Sequence, residues 1–210
     1  MLNKIVGALG QVAEAGGSIV GIRSGTAEPS FTVERSVGSI EIRRYELRIA
    51  AETTIDADEE KARSEGFRRL AGYIFGGNTT KTKIAMTAPV SQQQSEKIAM
   101  TAPVAAQRDA SGQWVIRFFM PAEDTMDTLP TPNDDRVRLV TVPAERVAVL
   151  KFSGTASLDA IASRTDELLN TLRDNNITTT GTPFSWFYDP PWTLPFRRRN
   201  EVVISLGAAG

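Results

Sequence analysis

Four short clusters hold the residues of this chain most able to do chemistry. Arg197-Arg198-Arg199 presents three guanidinium groups, which bind phosphate oxygens through paired hydrogen bonds. Asp56, Asp58, Glu59 and Glu60 gather carboxylates of the kind that hold a hard cation. Pro190-Pro191-Trp192 is a rigid, extended stretch of the type peptide-recognition modules read. The eight residues Lys83-Ile84-Ala85-Met86-Thr87-Ala88-Pro89-Val90 recur as Lys97 to Val104, which sets Met86 and Met100 at matched positions.

Each cluster also has an ordinary structural use. The three arginines run into Glu201 in a chain of net charge −1, with 24 Lys+Arg against 25 Asp+Glu. That balance favours a solvated turn or an internal ion pair, and no nucleic-acid partner is expected. The acids suit the first turn of a helix, where the macrodipole favours negative charge. The prolines lack P-x-x-P spacing and read as a link between strands.

Absent residue types narrow the chemistry further, because the 210 residues include no histidine and no cysteine. This excludes a Ser-His-Asp triad, an imidazole base, a thiolate nucleophile, an iron–sulfur cluster, a disulfide and covalent c-type haem. Carboxylates, Lys, Tyr, Met and hydroxyls remain, and the expectation is a binding module, not an enzyme. No apolar run reaches the ~18 residues of a membrane-spanning helix.

Residues 1–22 read in two ways. Leu2, Ile5, Val6, Leu9, Val12 and Ala13 line one face of an amphipathic helix. Alternatively Lys4 and Ala13-Glu14-Ala15 make a leader. The first reading places the protein in the cytoplasm and the second exports it.

The main body must position these groups. Val33, Val37, Ile40, Ile42, Tyr45, Leu47 and Ile49 alternate with charges as strands do. Asp56 with Glu59 begins a helix in which Phe67, Leu70, Ala71 and Ile74 share a face, and Gly76-Gly77-Asn78 ends it. The two repeat copies read as a hairpin with Met86 and Met100 on one apolar face, each strand bent near Pro89 or Pro103. Trp114, Ile116, Phe118 and Met120 alternate along the next strand. Beyond a Pro- and Asp-rich connection the order recurs: strands at 137–142 and 146–152, a helix from Leu158 capped by Ser157, and strands near 184–188 and 201–206. The expected class is α+β, with both helices laid over a curved antiparallel sheet or open barrel: two β-β-α-β-β halves, at about 31–120 and 137–206, in one domain over 23–206, with a short tail at 207–210.

At this point the residues resemble a known family. Tyr73-Ile74-Phe75-Gly76 with Asn78, the doubled Lys-Ile-Ala-Met-Thr-Ala-Pro-Val, and Tyr188-Asp189-Pro190-Pro191-Trp192 leading into Arg198-Arg199-Asn200-Glu201-Val202 resemble the SOUL haem-binding proteins, from about Gly21 to Leu206. The resemblance implies a distorted antiparallel β-barrel of two pseudo-twofold-related halves with two flanking helices. It also implies a shape like the ligand-sensing domains of some bacterial regulators. Its functional implication is non-covalent, non-catalytic binding of haem or a related tetrapyrrole in a hydrophobic groove, as a carrier or buffer.

Carried over by position, the family's haem-proximal helix falls on residues 57–75. There Ser64, Phe67, Ala71 and Phe75 form a stripe flanked by Arg63 and Arg68, an apolar surface for a flat macrocycle with cations for its propionates. Ser64 and Gly72 stand where a relative has basic propionate partners, so Arg63 and Arg68 are the substitutes. An axial histidine is excluded, which leaves Met86, Met100, Tyr45 and Tyr73 as candidate iron ligands. Each has a plainer use: the methionines as core packing, Tyr45 as a sheet-surface residue beside Arg43-Arg44, and Phe67 and Ala71 as helix-to-sheet contacts.

Two further readings remain open on the same scaffold. One is a pocket for another apolar small molecule. The other is a weak enzyme acting on its bound ligand, with Glu52 and Glu65 as its acids. Monomer and homodimer are both open.

Overall fold

Strand-forming alternation and two amphipathic helices build the molecule, which a computed structural model describes over residues 27–80, 95–189 and 193–207. In chain order the elements are β1 (Phe31–Val37), β2 (Ile40–Tyr45), β3 (Arg48–Ile55), α1 (Glu59–Ile74), β4 (Asn78–Thr79), β5 (Val104–Arg108) and β6 (Trp114–Phe119). They continue with β7 (Thr131–Pro132), β8 (Arg138–Val142), β9 (Glu145–Phe152), α2 (Leu158–Asp174), β10 (Thr179–Phe187), a short 3₁₀ turn (Pro195–Arg197) and β11 (Asn200–Leu206). The N-terminal helix or leader at 1–22, the first repeat copy with Met86, and Pro190-Pro191-Trp192 lie outside the described residues.

Nine strands form one antiparallel sheet in the order β1-β2-β9-β11-β10-β5-β6-β3-β8, and β4 pairs with β7 apart from it. Chain connectivity bends this sheet hard. Glu46-Leu47 is all that joins β2 to β3, and Pro143-Ala144 all that joins β8 to β9, although each joined pair stands six places apart in the order. Such short links draw the two edges together at that end. Arg48 of β3 completes the approach by pairing with Glu145 of β9 and stacking over the ring of Tyr45 on β2, 4.3 Å from its centroid. Among the described residues no ladder joins β1 to β8. The expected barrel is therefore corrected to an open, pinched trough: turns gather its edges, and hydrogen bonds do not close them.

Both helices pack on one face, α1 over β3 and β6, α2 over β9 and β11. Asp58 caps α1 by accepting a bond from the Lys61 amide at 2.9 Å, and Ser157 caps α2. Asp56 does not cap, because the N-cap carboxylate must reach the amide three residues on, and Asp58 is the acid so placed. Ala62, Gly66, Leu70, Tyr73 and Ile74 form α1's buried stripe, while Leu168 and Leu172 anchor α2.

The opposite face folds onto itself and buries Tyr45, Phe119, Val147, Val149, Trp186, Tyr188 and Val203. Tyr45 is 2% exposed, which corrects its reading as a surface residue: the curved sheet covers both faces of β2. The second repeat copy departs from a regular strand as well. Thr101 makes one parallel bridge to Ala27, and the ladder begins only at Val104, since Pro103 has no amide proton to give. Met100 is 41% exposed and so does not share the core face with Ile98.

Candidate functional site

α1 lies unusually close to the sheet because Gly66 faces it. A Cβ at this position would come within 2.5 Å of Ile116 Cγ1 on β6, so only hydrogen fits. Beneath the helix runs a cross-strand row of apolar residues, Phe187–Val104–Phe118–Ala51–Leu139, each directly opposite the next on β10, β5, β6, β3 and β8. The Phe67 ring meets Phe118 edge-on with centroids 5.3 Å apart, and the Arg63 guanidinium stacks 4.8 Å from the Phe187 centroid. Phe67, Ala71, Val104 and Phe187 are only partly buried, so an apolar shelf emerges from under this side of the helix. Phe75, 57% exposed, stands at the helix end.

The predicted stripe is thus divided by burial. Phe67 and Ala71 belong to the shelf, whereas Ser64, Arg68 and Phe75 face solvent. Arg63 is held at the N-terminal end, with both terminal nitrogens 3.4 Å from the Ala156 carbonyl. Arg68 donates Nε to the Ser64 carbonyl over a long 3.4 Å.

The other side of α1 is polar. Two overlapping depressions of about 410 Å³ each lie there, lined by Glu65, Arg68, Arg69, Asp134 and Arg136, and by Gly72, Tyr73, Gly77 and Asn133. Arg69 is committed to Glu65 at 2.7 Å and to Thr53 Oγ1 at 2.8 Å. Arg136 grips Asp134 through Nε and Nη2, both at 2.8 Å, and these bonds above all lower the Asp134 pKa to about 2. Sequence reasoning missed Val104, Phe187 and Arg136. Only the cross-strand register and the turn into β8 bring them beside α1.

The candidate iron ligands are scattered. Tyr45 lies in the cluster on the far face of the sheet, where burial first of all pushes its pKa up to about 12 and Arg43 Nη1 donates to its hydroxyl at 3.2 Å. Tyr73 points inward, donates to the Pro130 carbonyl at 2.9 Å, and is raised above the ordinary phenol range by burial. Both phenols hold their protons, and a phenolate ligand would have to lose one. Met100 lies in the segment before β5. Among the candidate acids, Glu52 bridges Arg117 at 2.7 Å and Arg138 at 3.2 Å, and Glu65 is paired with Arg69. No group of three acids suited to a metal ion occurs among the described residues.

Asn78 anchors the C-terminal end of this site. Its Nδ2 donates to the carbonyls of Tyr73 at 2.8 Å and Glu96 at 2.7 Å, and its Oδ1 accepts from the Glu96 amide at 2.8 Å. The side chain is buried and ties the end of α1 to the chain entering the second repeat copy. Asn78→Ala is expected to cost about 2–3 kcal/mol, because backbone groups lose their partners in a place water reaches poorly. Urea unfolding measures this, and a loss below about 0.5 kcal/mol would show that the three bonds are replaced by solvent.

A family model described as SOUL heme-binding protein matches residues 26–205. The Mus musculus protein named Heme-binding protein 2 is 29% identical over 176 residues, covering 81% of this chain and 79% of the relative. Its Homo sapiens counterpart is 29% identical over 167 residues, covering 79% and 77%. Among solved structures, the EcmrR C-terminal domain superposes with a TM-score of 0.57 at 11% identity, over 81% of this chain and 98% of that one. A protein described as a hydrolase from Listeria innocua gives a TM-score of 0.50 at 11% identity, over 83% and 94%. At such identities these two share the fold alone.

Proposed function

Because the chain belongs to the SOUL family of heme-binding proteins, we propose that it binds haem or a related tetrapyrrole non-covalently on the shelf beside α1, as a carrier or buffer and not as an enzyme. The observation that carries this reading is the half-buried apolar surface of Phe67, Ala71, Val104 and Phe187, next to exposed Phe75 and flanked by guanidinium groups. A flat macrocycle laid there removes water from both partners, at roughly 25 cal/mol per Å² of apolar area before ordering costs. Arg63, held at one end of the shelf, and Arg68, turned to solvent, are the cations nearest its acidic edge.

The same reading covers the iron and the two halves. With no histidine in the chain and two tyrosines kept protonated, affinity comes mainly from the ring and its carboxylates, and an axial bond is left to a methionine, Met86 or Met100. The strand order supports two related halves: with the edge strand β1 set aside, exchanging β2 with β8, β3 with β9, β5 with β10 and β6 with β11 returns the order of the remaining eight strands reversed, with α1 and α2 on equivalent strands.

Hemin titration followed by Soret absorbance tests the proposal. A saturable one-to-one shift is expected, with metal-free protoporphyrin competing at similar concentration. Phe75→Glu, at an exposed position that leaves the core intact, is expected to weaken binding about tenfold by setting a charge against the macrocycle. Absence of a saturable shift, or a shift indifferent to Phe75→Glu, removes the shelf as a tetrapyrrole site. The missing histidine favours one second reading, another apolar small molecule on the same shelf, and that reading then stands.

A further inference from the structure

The face of the sheet turned away from both helices holds a cation that the fold leaves unsatisfied. The Arg48 side chain is 8% exposed, and its guanidinium stacks against the rings of Tyr45 and Phe119, 4.3 and 4.5 Å from their centroids. Nη2 pairs with Glu145, but Nε and Nη1 are buried and have no hydrogen-bond partner. Buried donors on a charged group are nearly always satisfied, because hydration given up without a replacement bond is costly. The N–H bonds of a guanidinium lie in its plane, so the stacked rings cannot serve them. What is missing is an acceptor at the edge of the group.

Residues 27–30 cross this end of the trough as a strap. Ala27 bridges Thr101, just before β5, and by Phe31 the chain has reached β2, four places away in the sheet. There the Phe31 ring lies 5.2 Å from the Tyr45 ring, the same ring on which Arg48 stacks. The strap is lightly held. The Ala102 amide donates to the Ala27 carbonyl at 2.9 Å, and Glu28 meets Arg199 Nη1 at 3.0 Å in a pair that is partly exposed on both sides. Pro29 has no amide proton to add. Exposed pairs contribute little, so local opening here takes far less than unfolding.

Lifting the strap changes the charge balance beneath it. Glu201 is shared by Arg43 and Arg199, Glu145 holds Arg48, and Glu41 is divided between Arg43 and Lys151. Glu28 is the carboxylate that departs, which leaves Arg43, Arg48 and Arg199 against Glu145 and Glu201. Apolar groups stand around the cation as well: Val142 is opposite Arg48 on β8, and both Val142 and Phe31 are only partly buried.

We propose that this end of the trough is a second binding site, for a monocarboxylate with an apolar body, in which the free donors of Arg48 take the carboxylate and the strap at 27–30 opens to admit it. The site lies on the far face of the sheet from α1 and stands or falls apart from the tetrapyrrole reading. Glu28 competes with the ligand for the surplus positive charge.

Calorimetric titration of the full chain with sodium benzoate tests this, with benzamide as the uncharged isostere. Thermal unfolding of each variant establishes that it folds. Saturable one-to-one binding of benzoate is expected, with benzamide at least about tenfold weaker. Arg48→Lys keeps the charge but not the planar donors, and is expected to weaken benzoate about tenfold. Glu28→Gln is expected to tighten it about threefold, and Phe75→Glu on α1 to leave it unchanged. No saturable benzoate binding, or equal binding of benzamide, would mean that the Arg48 donors hold water only and overturns the site. Full binding by Arg48→Lys, or its loss in Phe75→Glu, places benzoate elsewhere and overturns it equally. Benzoate binding indifferent to Glu28→Gln removes the strap from the proposal.

Discussion

Glu201→Gln is expected to lower the unfolding free energy by about 3–5 kcal/mol, the usual consequence of removing one partner from a buried ion pair. Glu201 and Arg43 are both wholly buried and joined by two hydrogen bonds of 3.0 Å. The same carboxylate accepts from the Tyr188 hydroxyl at 2.8 Å and from Arg199 Nε and Nη2 at 3.0 and 2.8 Å. Arg43 also donates to Glu41 at 2.8 Å and to Tyr45, and lies 4.3 Å from the Phe31 centroid. Burial opposes the charge on Arg43, but the bonds it donates to Glu201 and the charge of that carboxylate outweigh it and raise its pKa above the ordinary value.

An amide at position 201 keeps the shape and loses the charge, and its NH2 group turns a donor toward guanidinium donors. Arg43 is then left in a low-dielectric interior with less than its due of negative charge, while Arg199, 22% exposed, keeps Glu28. Urea unfolding followed by tryptophan fluorescence, to which buried Trp114 and Trp186 contribute, measures the loss. Adding Arg43→Met is expected to recover part of it, since the double variant no longer buries that unpaired cation. A loss under about 1 kcal/mol, or strictly additive variants, would mean that water screens this network.

Gly66→Ala is expected to destabilise by about 1–3 kcal/mol, even though alanine in a helix is intrinsically better than glycine by about 1 kcal/mol. The new methyl carbon would lie 2.5 Å from Ile116 Cγ1 and 2.8 Å from Ile116 Cβ, both on a central strand that cannot retreat alone. Relief requires α1 to move outward, and the helix carries one wall of the shelf. Hemin affinity is therefore expected to fall with stability, by about tenfold or more if the helix shifts by a fraction of an ångström. Gly72→Ala on the solvent side of the same helix is the control for helix propensity, since nothing lies within 4 Å of its Cβ. A gain in stability for both variants would show that the contact with β6 relaxes without cost.

Several features of this molecule are legible one residue at a time. The period of Phe67, Leu70, Ala71 and Ile74 announces α1, and Ser157 announces the start of α2, because helix periodicity and capping depend on neighbours three or four positions away. The alternation of Trp114, Ile116, Phe118 and Met120 announces a half-buried strand in the same way, and all four are buried. The family resemblance also rests on local strings of residues, so it too was within reach. The burial of Tyr45 escapes local reading for a reason of the same kind: two adjacent arginines look like a solvated edge until the sheet curls over Arg43 and Tyr45 and leaves only Arg44 exposed.

Composition and local pattern alone determine that this chain works without imidazole or thiol chemistry, that it mixes strands with two helices, and that α1 presents an aromatic stripe with arginines beside it. Tertiary structure alone decides that the sheet stays open, that Arg43 meets Glu201 across 158 positions of sequence, and that Val104, Phe187 and Arg136 join α1 to make a shelf and a groove. The physical reason is one of range. Helix and strand patterns follow from backbone geometry within a few residues, whereas strand order, sheet curvature and the partner of a buried charge depend on which distant segments remove water from one another.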